Sequence, residues 1–428
     1  MRQRAYQRYL LIVLAITLAF NYMDRLALGL VMQDIKTDLR LSDTQLGLVT
    51  GFAFAVFYSA MGIPIARWAD RGNRVTILAL TTGLWCLMVA LSGAARTFGQ
   101  LLLVRVGVAV GEAGCIPPSH SLIADHFPRA ERPRATATFM LGGALSVILG
   151  YFGAGWLNEW YGWRTMFVVL GIPGVALALV IGLTLKEPRR AAARPADPTS
   201  AASSQPSVIE VCSRLWSIPT FRHLLFGFSV LFLLAYGFAQ WQPTFFIRTH
   251  GVGTGELGGW FTVIYASSGA VGVYGGGMLA SRYAATNERL QLRALIALFA
   301  GLLVVRPLVY LMPDYGWALV LVVPTALVSA IGDGPLFAII QSLVPAPMRA
   351  VSIAIIYLVA NLIGMGLGPF LIGVLSDGLR PWAGEGSLRY ALIALCPGYL
   401  WAMWHLLRAS QTVADDLAAV QAAPAAEA

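Results

Sequence analysis

Charge is what this sequence has least of. Only 12% of its 428 residues are Asp, Glu, Lys or Arg, against about 25% in a soluble domain, and just two are lysines, Lys36 and Lys186. So bare a surface excludes a soluble enzyme, and a disordered chain needs more charge than this. The four cysteines, Cys86, Cys115, Cys212 and Cys396, form no Cys-x-x-Cys pair, and three lie in apolar runs. They read as small apolar packers, which excludes a disulfide framework and a zinc site. Neither lysine stands in a Gly-x4-Gly-Lys-Ser/Thr loop, so no ATP site is encoded. The five histidines show no His-Glu-x-x-His or clustered ligand set. No metal and no cofactor is expected, and no constellation converges on an enzyme active site.

What is present is apolar length. Hydrophobic residues make up 57% of the chain and mean hydropathy is +0.70. That is about 244 residues, and twelve membrane helices of ~20 residues would need ~240. Runs long enough to span fall near 9–31, 44–66, 75–95, 100–124, 135–157 and 164–185, then near 222–247, 257–280, 290–311, 316–342, 350–374 and 389–407. Met1 to Phe20 starts like a signal peptide, but no small-residue cleavage site follows, so a retained first helix is expected. Between the two sets lies a stretch rich in Ala, Pro, Ser and Arg that has too little apolar surface to pack. The expected plan is an all-α membrane protein of twelve transmembrane helices in two six-helix bundles. The first bundle is 1–186, a cytoplasmic linker 187–220, the second bundle 221–408 and a cytoplasmic tail 409–428.

The net charge of +9 would suit a nucleic-acid binder, but the positions of the charges decide otherwise. With the N-terminus inside, 20 of the 30 basic residues fall in cytoplasmic segments and 7 on the other side. Lys and Arg are retained on the cytoplasmic side, so both termini are placed there, in a bacterial inner membrane, and nucleic acid is not expected as a partner. The halves also repeat each other. Pro118, Pro128, Arg134 and Ala135 precede an apolar run carrying Gly142, Gly150 and Gly153; Pro335, Pro345, Arg349 and Ala350 precede one carrying Gly364, Gly366 and Gly368. Parallel six-helix repeats are the arrangement of transporters that alternate access by rocking.

The loop Ala66-Arg67-Trp68-Ala69-Asp70-Arg71-Gly72-Asn73-Arg74 resembles the loop signature of the major facilitator superfamily, with Ala66 and Asn73 in place of glycines. The resemblance implies a cytoplasmic latch of Asp70, Arg71 and Arg74 with Asp125 at the end of the fourth helix. The second copy keeps Arg282 but has Ser281 where the acid belongs.

Three arginines, Arg25, Arg105 and Arg306, and three acids, Asp24, Glu112 and Asp333, stand inside apolar spans. An ion at bilayer depth costs at least ~2.5–3.5 kcal/mol, so such residues are functional candidates by default. Asp24 lies about 22 Å up its helix from Tyr9, and Arg105 near the same height. Glu112, two turns beyond Arg105, shares its face. Desolvation and a neighbouring guanidinium act on a buried carboxyl in opposite senses, so together they can poise it for reversible protonation. The freed arginine fork can then hold a phosphate or carboxylate. The alternative is a static set of ion pairs tying two helices, although buried pairs are poor stabilisers.

Asn21-Tyr22-Met23-Asp24-Arg25, with Arg105-x6-Glu112 and Gly111-Glu112-Ala113, resembles the Spinster-type branch of the superfamily, which moves lysolipids and sphingosine phosphate. The resemblance implies Asp24 and Glu112 as protonation sites, and Arg25 and Arg105 as headgroup or coupling residues. The same pattern resembles symporters of sugar acids and sialic acid, so these positions do not separate an amphipathic from a hydrophilic organic anion. A lipid-binding receptor or scaffold without transport is the reading of another class. Expected partners are membrane lipids, the anionic substrate and protons, and the expected state is a monomer. Further candidates for pocket lining are Tyr22, His120, Tyr236, Gln240, Tyr357 and Asn361, though His120 suits simple packing better. Trp241 and Gln242 are further lining candidates, Trp241 serving otherwise as an interfacial anchor. Arg306 is expected to snorkel, and Asp333, between glycines, to cap a broken helix rather than touch substrate.

Overall fold

The computed structural model describes residues 2–188, 208–284, 287–345 and 348–422, helical almost throughout and without a strand among them. Most of the expected linker, with Arg189, Arg190 and Arg194, and the last residues of the expected tail lie outside the described residues. The helices are α1 (Arg2–Leu39), α2 (Asp43–Gly47), α3 (Ala53–Arg71), α4 (Arg74–Ser92), α5 (Phe98–Glu112), α6 (Ile116–His126), α7 (Arg132–Val147) and α8 (Ala154–Thr184). They continue as α9 (Val208–Ser217), α10 (Pro219–His250), α11 (Thr254–Tyr283), α12 (Glu288–Leu311), α13 (Tyr315–Ser342), α14 (Arg349–Asn361), α15 (Gly368–Ala383), α16 (Ser387–Leu395) and α17 (Gly398–Ala422).

Nine helical stretches among the described residues are long and apolar enough to cross a bilayer. Two of these hold two passes each. Arg132–Thr184 turns at Gly162, whose φ of 78° is left-handed and open to glycine without strain. Val351–Val420 is divided at Gly384, φ 56°. The shorter apolar helix Tyr315–Ile331 completes the twelve expected passes. The repeat extends to backbone defects. One π-helical segment, Ile148–Gly153, follows α7 and another, Leu362–Leu367, follows α14, and these hold four of the six repeated glycines, Gly150 and Gly153 in one and Gly364 and Gly366 in the other. A third, Leu48–Phe52, separates α2 from α3. Such bulges recur at functional sites.

Two expected boundaries differ from what is observed. The stretch read as linker contains α9, where Val211 and Leu215 recur at i and i+4 and are both buried. One apolar stripe suffices for a short helix to dock. The stretch read as tail begins inside α17, which runs on from Arg408 to Ala422 and buries Val413.

Packing gathers the chain into two compact units, Met1–Asp197 with Ala239–Val263, and Pro198–Phe238 with Ile264–Ala428. In the first, Leu10, Leu14 and Leu18 of α1 share a core with Leu78, Leu122 and Phe139. In the second, the rings of Phe238, Tyr310 and Tyr399 stack, with Phe299 against Tyr399. The hairpin Ala239–Val263 belongs to the first unit although it lies past the linker. Arg248 there clasps Asp43 through both carboxylate oxygens, at 2.8 and 2.7 Å, and donates to Gln33 at 2.5 Å. Lys36 also reaches Asp43, at 2.6 Å. Asn158 bonds Asp34 at 2.6 Å and Thr254 at 3.0 Å, and the Gly255 amide donates to Glu159 at 2.6 Å.

Candidate functional site

The site begins with a break in the fourth membrane pass. Pro117 and Pro118 cannot donate the amide bonds that would continue a helix from α5, so α5 ends at Glu112 and α6 restarts at Ile116. Around the break α5 approaches α4 closely. A Cβ on Gly111 would meet the Trp85 backbone nitrogen at 2.8 Å, and Gly114 lies against Thr81. Glu112 is thereby held at the end of a helix and fully buried. Gly111→Val is expected to push α5 off α4, an overpacking cost of ~1–3 kcal/mol or more, read as a lower unfolding temperature in detergent.

Four charges converge here. The Arg105 guanidinium donates to Asp24 at 2.6 Å, with Asp24 0% and Arg105 2% exposed. Arg25 pairs with Glu112, its Nε donating at 2.9 Å and its Nη2 to the same oxygen. Glu112 is within electrostatic reach of Asp24 and of both guanidiniums. One oxygen of each carboxyl, Asp24 Oδ1 and Glu112 Oε1, has no hydrogen-bond partner among the described residues. Asn21 donates to the Glu112 carbonyl at 3.3 Å, which also accepts the Cys115 amide at 3.1 Å in the turn after α5. The wall is aromatic. The Arg25 carbon Cζ lies 4.6 Å from the Phe54 ring centroid, 5.1 Å from Tyr58 and 5.4 Å from Tyr22, and Arg105 lies 5.2 Å from Phe54. Guanidiniums over ring faces keep a favourable environment away from water.

Asp24, Arg25, Arg105 and Glu112 are thus brought together, with Tyr22 beside them. Phe54 and Tyr58 were missed; their i, i+4 spacing just after the π-helical segment is the signal that could have found them. His120 is half-buried and packs edge-on against Phe139, centroids 5.4 Å apart. Gln240 contacts the Met32 sulfur at 3.5 Å in the first unit. In the second unit Tyr236 and Tyr357 both flank Phe232, at 5.8 and 6.5 Å, and Asn361 closes α14.

Three expectations fail. Trp241 is 0% exposed and so does not sit at an interface; it stands 5.9 Å from the Arg248 guanidinium. Arg306 does not snorkel: it is 4% exposed and its Cζ lies 4.6 Å over the Phe238 ring. α13 runs unbroken across Asp333, leaving no broken helix to cap, and the Asp333 side chain lies outside the described residues.

In the first unit, at the end where α1 begins, Arg74 reaches Asp125 at 2.6 Å, as the loop signature implies. It also pairs with Glu187, which takes the Arg74 backbone amide at 2.6 Å, and its Nη1 donates to the Ser121 hydroxyl at 2.8 Å. Glu187 was not foreseen. Asp70 and Arg71 end α3 and are exposed; Arg71 makes no ion pair among the described residues.

The chain is 33% identical over 394 residues to an MFS-type efflux pump of Mycolicibacterium smegmatis, covering 90% of this chain and 87% of that protein. It is 30% identical over 188 residues to a probable galactarate/D-glucarate transporter of Bacillus subtilis, covering 42% and 41%. A crystal structure of a bacterial homolog of the human lysosomal transporter Spinster, inward-facing and unoccupied, superposes with a TM-score of 0.83 at 29% identity over 96% of this chain and 98% of that one. The family model matching residues 14–369 is that of the Major Facilitator Superfamily. With twelve passes, the repeated halves and this match, the chain belongs to that superfamily of transporters.

Proposed function

We propose that the protein is a secondary active transporter that moves an amphipathic anion, a lysolipid or sphingosine-phosphate-like molecule, by alternating access coupled to protons at Asp24 and Glu112. The observation that carries this reading is the double ion pair buried in the spanning helices, Asp24 with Arg105 and Glu112 with Arg25. Each carboxyl keeps one oxygen without a partner on which a proton can sit. Protonation weakens the pair and releases a guanidinium, and that guanidinium then binds the anionic headgroup in the two-point manner of an arginine fork. The rings of Tyr22, Phe54 and Tyr58 offer apolar surface for the rest of an amphipathic molecule. The six-helix halves 1–186 and 221–408 are the rocking bodies, the basic loops put both termini in the cytoplasm, and the working unit is a monomer.

A hydrophilic sugar acid is the second reading, favoured by the galactarate/D-glucarate relative. That likeness spans 42% of this chain, whereas the Spinster homolog spans 96%, and the aromatic wall suits the amphipathic class better. Proteoliposomes with an imposed pH gradient test both. Lysophosphatidylglycerol flux is expected to follow the gradient and to resist competition by D-glucarate. Effective competition by D-glucarate would assign the sugar-acid class. Flux indifferent to the gradient would remove proton coupling, and specific binding without flux would leave a receptor. Arg25→Ala is expected to reduce lysophosphatidylglycerol flux about ten- to hundredfold, the worth of a charged hydrogen bond. A neutral monoacylglycerol should lose far less; equal losses would make Arg25 structural.

A further inference from the structure

We propose an anionic phospholipid site in the groove between the start of α1 and the start of α7, apart from the buried charges of the transport site. The groove has a volume of about 560 Å³. Its lining combines Arg4, Arg8 and Arg134 with Leu11, Ile12 and Phe127.

The sequence sets up the two sides. On α1, Arg4, Arg8, Leu11 and Ile12 follow helical spacing along one face. The segment is tied to the bundle on both sides: Gln7, within the groove lining, donates to the His126 carbonyl at 2.6 Å, while away from the groove the Tyr6 hydroxyl accepts from the Lys186 amide at 2.7 Å and Tyr9 bonds Thr184 at 2.6 Å. The groove-side face of α1 is therefore held in place. Polarity changes along the groove in one direction on both helices. α1 passes from Arg4 and Arg8 to Leu11 and Ile12, and the α7 side from Glu131 and Arg134 to Ala135 and Thr138. Ile12 is 57% exposed, as suits contact with acyl chains.

All three arginines are exposed, and none makes an ion pair or a side-chain hydrogen bond among the described residues. Glu131 is the one carboxylate in the lining, against three guanidiniums, so the groove favours an anion. A soluble anion would use the basic end and leave the apolar end bare. A phospholipid matches both, with its phosphate on the guanidinium forks and an acyl chain beside Leu11 and Ile12. Basic grooves between membrane helices at the headgroup level are where such lipids are held.

The test is thermal unfolding of the purified full chain in detergent, titrated with phosphatidylglycerol, phosphatidylcholine or sn-glycerol 3-phosphate. Phosphatidylglycerol is expected to raise the unfolding temperature by roughly 3 °C or more, and the other two by far less. In the triple variant Arg4→Gln/Arg8→Gln/Arg134→Gln at least half of that rise should vanish. In a control carrying Arg282→Gln/Arg289→Gln/Arg293→Gln, three exposed arginines of the second unit, it should persist. An equal rise with phosphatidylcholine, an equal rise with glycerol phosphate, or equal losses in both triple variants would each overturn the proposal. On the unaltered protein, a photoactivatable phosphatidylglycerol should label the α1 and α7 peptides bordering the groove, and labelling confined to other segments would also overturn it.

Discussion

Asp24→Asn is expected to abolish the response of transport to an imposed pH gradient and to lower the unfolding temperature on the order of 10 °C. The substitution leaves the Arg105 guanidinium, 2% exposed, without its anion, and an uncompensated buried charge costs ~3–5 kcal/mol. Glu112→Gln should abolish coupling as completely yet cost less than half as much stability. Its partner Arg25 has a side chain 17% exposed and lies over three rings, so it is better able to keep its charge. The double variant Asp24→Asn/Arg105→Gln replaces an ion pair with a neutral one and is expected to recover most of the lost stability with no return of coupling. Melting curves and pH-driven flux on the same preparations check this. Coupling that survives in both single variants would sink the proton role. A double variant no more stable than Asp24→Asn would show that the four charges do not divide into two pairs.

Arg74→Ala should have the next largest effect, on a different property. Arg74 is fully buried and reaches Glu187, Asp125 and Ser121 at once. The Asp125 contact is 38% exposed on the acid's side and contributes little, as surface pairs do. The Glu187 contact, 4% exposed on the acid's side, carries the weight. A fall in unfolding temperature on the order of 10 °C is expected, with Arg74→Lys recovering less than half, because an ammonium cannot present the guanidinium fork. Limited proteolysis should show faster cleavage near Glu187 in the alanine variant. A fall under about 2 °C would mean that the latch is not a stabilising element of the resting protein.

Much of the fold was legible because a bilayer leaves few options. Twelve apolar runs, a positive bias in alternate loops and a repeated Pro-Pro-Arg-Ala spacing need no tertiary detail. The four buried charges were legible for the same reason, since ions stand out in a sequence so short of them. Their pairing was only half legible. Helical rise sets Asp24 and Arg105 at one height, but spacing along single helices does not say which carboxyl meets which guanidinium, and the pairing of Arg25 with Glu112 follows from how α1 packs on α5. Phe54 and Tyr58 were hidden by being apolar among apolar neighbours. Asp43, Asp34 and Glu187 were hidden the other way, as acids outside the apolar runs resembling any others, because what distinguishes them is a partner more than a hundred positions away. Trp241 and Arg306 followed rules for side chains facing lipid, and both are enclosed by protein.

The clasp of Arg248 on Asp43 has a consequence for how the gene can be divided. Cutting the coding sequence within the linker yields two fragments with six apolar passes each, but the later fragment carries Ala239–Val263, a part of the first unit. The earlier fragment made alone would bear Asp43, Asn158 and Glu159 without Arg248, Thr254 and the Gly255 amide, the groups that meet them from that hairpin. Co-expressed fragments should therefore associate without a covalent join, and each should be degraded when made singly. The hairpin makes the halves obligate companions in synthesis.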